Sequence, residues 1–144
     1  MSEEVQIRIF SLSRVEFEAG NLGNAIYWLM KKGDKPYYFR EMTPRNFPAG
    51  SIVLFNFESQ IFGQAITYEA IRKFTSDEQR DNEAKMGYPY KAAVRFVQSS
   101  IDVFCKYPSK EEVEKILGKG YSRNFTILNW KQYEEVLRLA GRRP

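Results

Sequence analysis

The chain contains no histidine and a single cysteine, Cys105, so any chemistry it performs must come from aromatic rings, cations and carboxylates. Histidine is the commonest metal ligand and the commonest general base near neutral pH, and without it no Cys–His or Ser–His nucleophile can be built. One cysteine makes neither a structural zinc site nor an intrachain disulfide. No metal, no cofactor and no enzymatic activity are expected, since an enzyme would be left with carboxylate, lysine or tyrosine and no carboxylate pair stands at a diagnostic spacing. Rings are what the chain has in surplus. Nine Tyr, eleven Phe and two Trp in 144 residues exceed what a core of this size needs, and stacking on flat ligands such as nucleobases is one use for the excess.

Two stretches combine rings or turns with cations. Tyr27 and Trp28 are followed by Lys31, Lys32, Lys35, Arg40 and Arg45, a run that can track a phosphate backbone or simply be solvated surface. Arg123 lies in Tyr121-Ser122-Arg123-Asn124, after two glycines and before a helix start. A guanidinium there can hold a phosphate bidentately beside backbone N–H groups, or serve as a surface arginine at a turn. The charge balance, 22 Lys and Arg against 18 Asp and Glu, permits a polyanionic partner without demanding one.

The elements that must position these residues read as α+β. Val5 to Leu12 alternates and predicts a first strand. Ser13 offers an N-cap to a short helix that the following glycines would end, and Ile26 to Met30 reads as a short strand before the turn at Lys31–Pro36. Ile52–Phe57 and Ile61–Tyr68 form an apolar hairpin, buried on both faces and central in its sheet. Its second strand carries Gly63, either a bulge that lets the sheet curl or part of a pocket floor. Thr75 to Gly87 has almost no apolar residue and is expected to be a loop or a solvated helical turn. A long strand follows through Ala93, Val94, Phe96 and Val97, with Cys105 packed beyond it as a small hydrophobe. Ser109 and Glu112 make a capping box for a helix stopped by Gly118, and Asn129 caps a last helix ending at Gly141. The packing that follows is one domain over 1–144: a curled, mostly antiparallel sheet or small barrel flanked by helices. No apolar run approaches the length of a membrane span and no segment has the order of a signal peptide, so a cytoplasmic location is expected. The ending Arg142-Arg143-Pro144, just past a helix stop, predicts a module cut from a longer chain.

The hairpin "SIVLFNFESQIFGQAITY", then "YPYKAAVRF", a helix, and "YSRNFTILNWKQYEEVLRLA" resemble the layout of the PUA-like barrels, the group of the YTH, EVE and ASCH domains. In YTH domains a strand with two or three aromatics runs into a polar tip and returns with an early glycine; Phe55, Phe57 and Gly63 hold those places. An aromatic–Trp pair in those domains supplies one wall of a cage for a methylated adenine, and Tyr27 and Trp28 are similar in position. The stretch at Ser122, Arg123 and Asn124 resembles the Asn-Ser-Arg-Asp segment before the family's last helix. The family's second cage tryptophan has no tryptophan counterpart between Glu69 and Tyr90, which leaves Phe74 or Tyr88 for that wall. Within the group the chain is similar in kind to the N-terminal target-recognition domains of McrB-type restriction GTPases.

The resemblance implies a non-catalytic reader that flips a modified base, N6-methyladenine in DNA, into an aromatic pocket. Trp28, Tyr27, Phe57, Phe74 and Tyr88 are then the base-binding rings, and Ser11, Asn56 and Ser59 the polar groups around the amine. Lys31, Lys32, Arg45, Ser122, Arg123 and Asn124 are the phosphate-binding set. Extrusion costs a few kcal/mol, which stacking of roughly 1–3 kcal/mol per ring face can offset. The implied partners are nucleic acid, DNA before RNA, no membrane, and a GTPase domain in a longer parent chain. An RNA-binding PUA-like module and a small ASCH-type hydrolase are the alternatives.

Overall fold

The computed structural model describes residues 4–12, 21–33, 35–40, 43–44, 47–121 and 125–142. The predicted Ser13 cap and the short helix after it lie outside them.

A five-stranded sheet runs through the middle of the molecule. Its strands are β1 (Ile7–Ser11), β3 (Ile52–Phe57), β4 (Gln60–Ile66), β7 (Asp102–Val103) and β8 (Ile127–Leu128), in the order β7-β4-β3-β1-β8. β1 and β3 pair in parallel, Ile7 against Ile52 through Ser11 against Asn56, and the other pairs are antiparallel. A second sheet holds β2 (Tyr37–Phe39), β6 (Ala92–Val94) and β5 (Arg72–Lys73), antiparallel in the order β2-β6-β5. A bridge between Thr67 and Phe96 joins the two at a corner, and they do not close into a barrel. The curl expected from the sequence is therefore achieved by a mixed sheet and a small antiparallel one meeting at an angle.

β3 is buried at all six positions because the central sheet has a core on each face. Val53, Phe55 and Phe57 point into one core with Phe10, Phe62 and the inner face of the three-stranded sheet. Ile52 and Leu54 point into the other with Val113, Leu117, Val136 and Leu137. This second core belongs to α3 (Lys110–Leu117) and α4 (Trp130–Leu139), both closed by the expected capping boxes at Ser109/Glu112 and Asn129/Gln132. The β3–β4 hairpin turns through Glu58 and Ser59, both at positive φ (47° and 67°), with a register shift between Phe55 and Asn56.

Several expectations are corrected. Ile26–Met30 is not a strand but the body of α1 (Leu22–Met30), capped by Asn21, whose side chain accepts from the Asn24 N–H at 2.9 Å. Ala25 and Leu29 bury one face of it. Thr75–Gly87, expected as a loop or a solvated helical turn, is the solvated helix α2 (Ser76–Met86), three turns with no buried residue, fixed by a Thr75/Glu78 capping box and a left-handed Gly87 at φ 78°. The long strand after Tyr90 is three residues of β6, a bridge at Phe96 and a 3-10 turn at Gln98–Ser100. Cys105 is exposed instead of packed, its Sγ accepting from Arg142 Nη1 at 3.1 Å. Among the described residues no helix is long and apolar enough to cross a membrane.

Candidate functional site

Helix α1 ends at Lys31, and a tight turn carries the chain through Lys32 and Pro36 into β2. That turn folds Lys32 back over the helix. Its side chain is buried, 4% exposed, with Nζ 4.0 Å from the centroid of the Trp28 indole and donating to the Pro36 carbonyl at 3.1 Å. Trp28 is half-buried and held edge-on by Tyr37 and Phe55, at ring distances of 6.1 and 5.8 Å. Beside the indole opens a cleft of about 300 Å³, walled by Trp28, Lys32 and Pro36 on one side and by Tyr38, Arg40 and Tyr90 on the other. Among the described residues no carboxylate lines it.

The far wall is built by the small sheet. β2 pairs with β6, which brings the segment just before β6 against Tyr38, so that Tyr38 and Tyr90 meet at 5.2 Å and Tyr90 meets Tyr88 at 5.1 Å. The Arg40 guanidinium lies 4.5 Å from the Tyr88 ring centroid and 5.9 Å from that of Tyr90. Four rings, Trp28, Tyr37, Tyr38 and Tyr90, and two cations thus line one slot.

Tyr38 also borders a second cleft, of about 380 Å³, between the outer face of the small sheet and α2. There the Phe74 ring lies 6.4 Å from Tyr38 at an interplanar angle of 28°. Its electrostatics differ. Arg95 donates two hydrogen bonds of 2.9 Å to the Glu69 carboxylate, and Arg72 donates to Glu78 while its guanidinium sits 5.1 Å from the Phe74 ring. The Arg95 hydrogen bonds hold the Glu69 carboxyl below the usual carboxylate range, and the Thr75 backbone N–H and Arg72 do the same for Glu78. Cations and carboxylates here satisfy each other.

A third polar group lies at the carboxyl ends of the parallel pair β1 and β3. Tyr121 donates its hydroxyl to Asn56 Oδ1 at 2.9 Å, and Asn56 Nδ2 donates to Ser11 Oγ at 3.3 Å. Burial, with Glu114 adding to it, pushes the Tyr121 hydroxyl up to about 12.

The expected site residues are therefore distributed. Trp28 and Lys32 share the first cleft, Tyr88 stands at its rim through Arg40 and Tyr90, and Phe74 belongs to the neighbouring one. Tyr27 lies outside both, 63% exposed, with Lys31 Nζ 5.6 Å from its ring centroid. Ser11 and Asn56 touch each other and line neither cleft, Phe57 is fully buried in the core, and Ser59 is exposed at the hairpin tip. Arg45, Ser122, Arg123 and Asn124 lie outside the described residues. Tyr37, Tyr38, Tyr90 and Pro36 are the lining residues that sequence reasoning missed. Their signal is the adjacency of Tyr37-Tyr38 to Arg40 and of Tyr88 to Tyr90, legible as a wall only once β2 is paired with β6. Among the described residues no group of His, Cys, Asp and Glu could hold a metal ion.

No protein-family model matches the chain, and no curated protein matches it. Solved structures do match along nearly its whole length. The ASCH protein of Zymomonas mobilis is 12% identical, with a TM-score of 0.60 over 93% of this chain and 95% of that one. A hypothetical protein from Leishmania major is 16% identical, with a TM-score of 0.64 over 98% of each chain. The N-terminal domain of McrB from Thermococcus gammatolerans, solved bound to m5C DNA, is 10% identical, with a TM-score of 0.55 over 94% of this chain and 97% of that one. At such identities the likeness concerns architecture: the chain shares its α+β fold with the Zymomonas mobilis ASCH protein and the McrB N-terminal domain.

Proposed function

We propose that this domain binds nucleic acid, DNA in the first instance, and receives a modified base in the cleft beside Trp28, as the recognition module of a modification-dependent restriction system. One observation carries the reading: the cleft gathers Trp28, Tyr38 and Tyr90 with Lys32 and Arg40, and among the described residues it has no carboxylate. Rings suit the face of a base, and a lysine and an arginine beside them suit acceptor edges and phosphates. Its volume, about 300 Å³, stands at the lower end of the range for small-ligand clefts, about 300–1,000 Å³, and fits one base better than a larger ligand. The McrB domain that shares the fold was solved on DNA carrying m5C, which supports the nucleic-acid assignment without identifying the base read here.

Lys32 has a definite part in this scheme. Its ammonium covers the indole face that a base would stack on. A cation–π contact is worth about 0.5–2 kcal/mol and a stacked base about 1–3 kcal/mol, so exchanging one for the other is close to balanced. The displaced ammonium then lies beside the ligand as a donor. A binding module is preferred to a hydrolase because the cleft beside Trp28 is lined by rings and cations and, among the described residues, by no carboxylate.

Fluorescence anisotropy with matched DNA and RNA oligonucleotides, plain or carrying N6-methyladenine or 5-methylcytosine, tests the reading. Affinity should fall steeply as salt rises, and one modified DNA should bind best. Trp28→Ala should lose about tenfold or more on that DNA, the loss of one stacking face, with an unchanged circular dichroism spectrum. Wild-type affinity in a folded Trp28→Ala protein, or binding indifferent to salt, overturns the proposal.

A further inference from the structure

The cleft between the small sheet and α2 is a gap that folding does not fill. Tyr38, Ala93 and Arg72 stand in one row across that sheet, since Tyr38 pairs with Ala93 and Ala93 with Arg72. Tyr37 and Phe39, on either side of Tyr38, are buried in the core, so the row points the other way, into the cleft. A methyl group between a phenol and a guanidinium leaves a trough in the middle of the row. A helix laid on a sheet ordinarily turns an apolar stripe toward it. α2 turns Glu78, Asp81, Asn82 and Lys85 toward the trough, positions three and four apart and so on one face, and buries none of its residues. Polar contacts hold it instead: Arg72 with Glu78, Gln79 Nε2 donating to the Phe74 carbonyl at 3.1 Å, and Asn82 Nδ2 donating to the Tyr90 carbonyl at 3.4 Å. About 380 Å³ is left between helix and sheet, within the range of small-ligand clefts, about 300–1,000 Å³.

The lining limits the occupant. Its carboxylates, Glu69, Glu78 and Asp81, are matched in number by its cations, Arg72, Lys85 and Arg95, so the lining favours neither an anion nor a cation. Tyr38 and Phe74, at an interplanar angle of 28°, offer ring faces, and the Arg72 guanidinium 5.1 Å from the Phe74 ring extends that platform. Around the rings, donors stand beside acceptors in the Arg95–Glu69 and Arg72–Glu78 pairs. A flat, neutral group whose edge alternates donors and acceptors matches both features, and a nucleobase is such a group. Tyr38 and Pro36 also wall the Trp28 cleft, so occupants of the two clefts stand side by side. We infer that this second cleft holds the nucleotide next to the one received beside Trp28, its base stacked on Phe74 and Tyr38 and its edge met by the two ion pairs. The inference rests on the proposed base-binding reading. Sugar and phosphate stay at the mouth, away from the carboxylates, and the domain thereby reads a base together with its neighbour.

Fluorescence anisotropy on single-stranded DNA tests it, using the N6-methyladenine or 5-methylcytosine oligonucleotide, whichever binds tighter, made with an ordinary or an abasic neighbour on either side of the modified base. For wild type, an abasic site on one side should cost about tenfold, the loss of one stacked base, and on the other side little. Phe74→Ala removes a ring and Ala93→Leu fills the trough. Each should lose about tenfold on the intact strand and nothing more on the abasic one, while keeping the preference for the modified base and an unchanged circular dichroism spectrum. Trp28→Ala should do the reverse, losing that preference and keeping the cost of the abasic site. Wild-type binding indifferent to an abasic neighbour on both sides, or variants that weaken intact and abasic strands equally, overturns the second cleft and leaves the Trp28 reading standing. If Trp28→Ala keeps the preference for the modified base while the abasic pattern holds, the Trp28 reading falls and the second cleft survives it. The wild-type comparison decides even where a variant does not fold.

Discussion

Gly63 decides where α1, and with it Trp28, can sit. It lies in β4 opposite Phe55, beside the register shift, and pairs with Val103 on its other side. A Cβ built there would stand 2.6 Å from Leu29 Cδ2 of α1 and 2.8 Å from the Asp102 carbonyl oxygen of β7. Carbon–carbon contacts are comfortable at about 3.5–4.0 Å, so Gly63→Ala requires about 1 Å of movement on the Leu29 side and a smaller shift on the Asp102 side at once. Leu29 is fully buried and has no open space to rotate into, and β7 is held through Asp102 by Arg142 and Gln64. Overpacking of this kind costs about 1–3 kcal/mol, and the stiffer unfolded chain returns about 0.4–1 kcal/mol. The net loss is about 1–2 kcal/mol, a fall in Tm of roughly 2–8 °C for a chain of this size. Urea titration followed by circular dichroism measures it. Leu29→Ala in the same chain removes the first clash and leaves the second, so the double variant should be less destabilised than the two singles summed, by about 0.5 kcal/mol or more. Weaker ligand binding should accompany the shift, since Leu29 adjoins Trp28. A Gly63→Ala protein as stable as wild type would refute the claim that close approach fixes this glycine.

Two further outcomes follow from the polar networks. Tyr121→Phe leaves Asn56 Oδ1 without its hydroxyl donor in an 8% exposed position, which should cost about 1–3 kcal/mol by urea titration. Because folding raises the Tyr121 hydroxyl from 10.0 to about 12, its contribution is intact below about pH 10 and lost as pH rises toward 12, so Tyr121→Phe should flatten that alkaline limb; an unchanged limb would count against it. At the other extreme, Arg142 holds the Asp102 carboxyl below the usual range, so its contribution is present above about pH 4 and lost as pH falls through the depressed value. Asp102→Asn should remove that share of the acid limb, and an identical acid profile would show the pair to be inert.

How far the sequence was legible depends on where each element draws its stability. α3 and α4 carry an apolar face and a capping box in the same dozen residues, and both were readable to within a residue or two. The hairpin was readable because residues on both faces of β3 are apolar. α1 was not, since a short apolar run fits a strand as well as a helix, and the deciding feature is the single Asn21 cap. α2 is left open between a loop and a solvated helical turn for the opposite reason: it has no buried face, and only Thr75 with Glu78 announces it. The site divides along the same line. Trp28 and Lys32 are neighbours on one turn of chain and were named together, whereas the Tyr38 and Tyr90 wall exists only through the β2–β6 ladder. The contact of Asn56 with Ser11 likewise depends on the parallel register of β1 and β3.

The two clefts share Tyr38 and Pro36, yet their cations are partnered differently. In the larger cleft each arginine that could meet a phosphate already meets a carboxylate, Arg95 with Glu69 and Arg72 with Glu78. A phosphate arriving there would have to displace a paired anion and then lie beside it, and like charges at that range repel even when exposed. In the Trp28 cleft the cations rest on rings or a backbone carbonyl, Lys32 on the indole and Pro36, Arg40 on Tyr88 and Tyr90. Among the described residues no carboxylate lines this cleft. On the proposed reading the modest excess of +4 matters less than its distribution: the α2 side sets its arginines against carboxylates, and the Trp28 side sets its cations against rings.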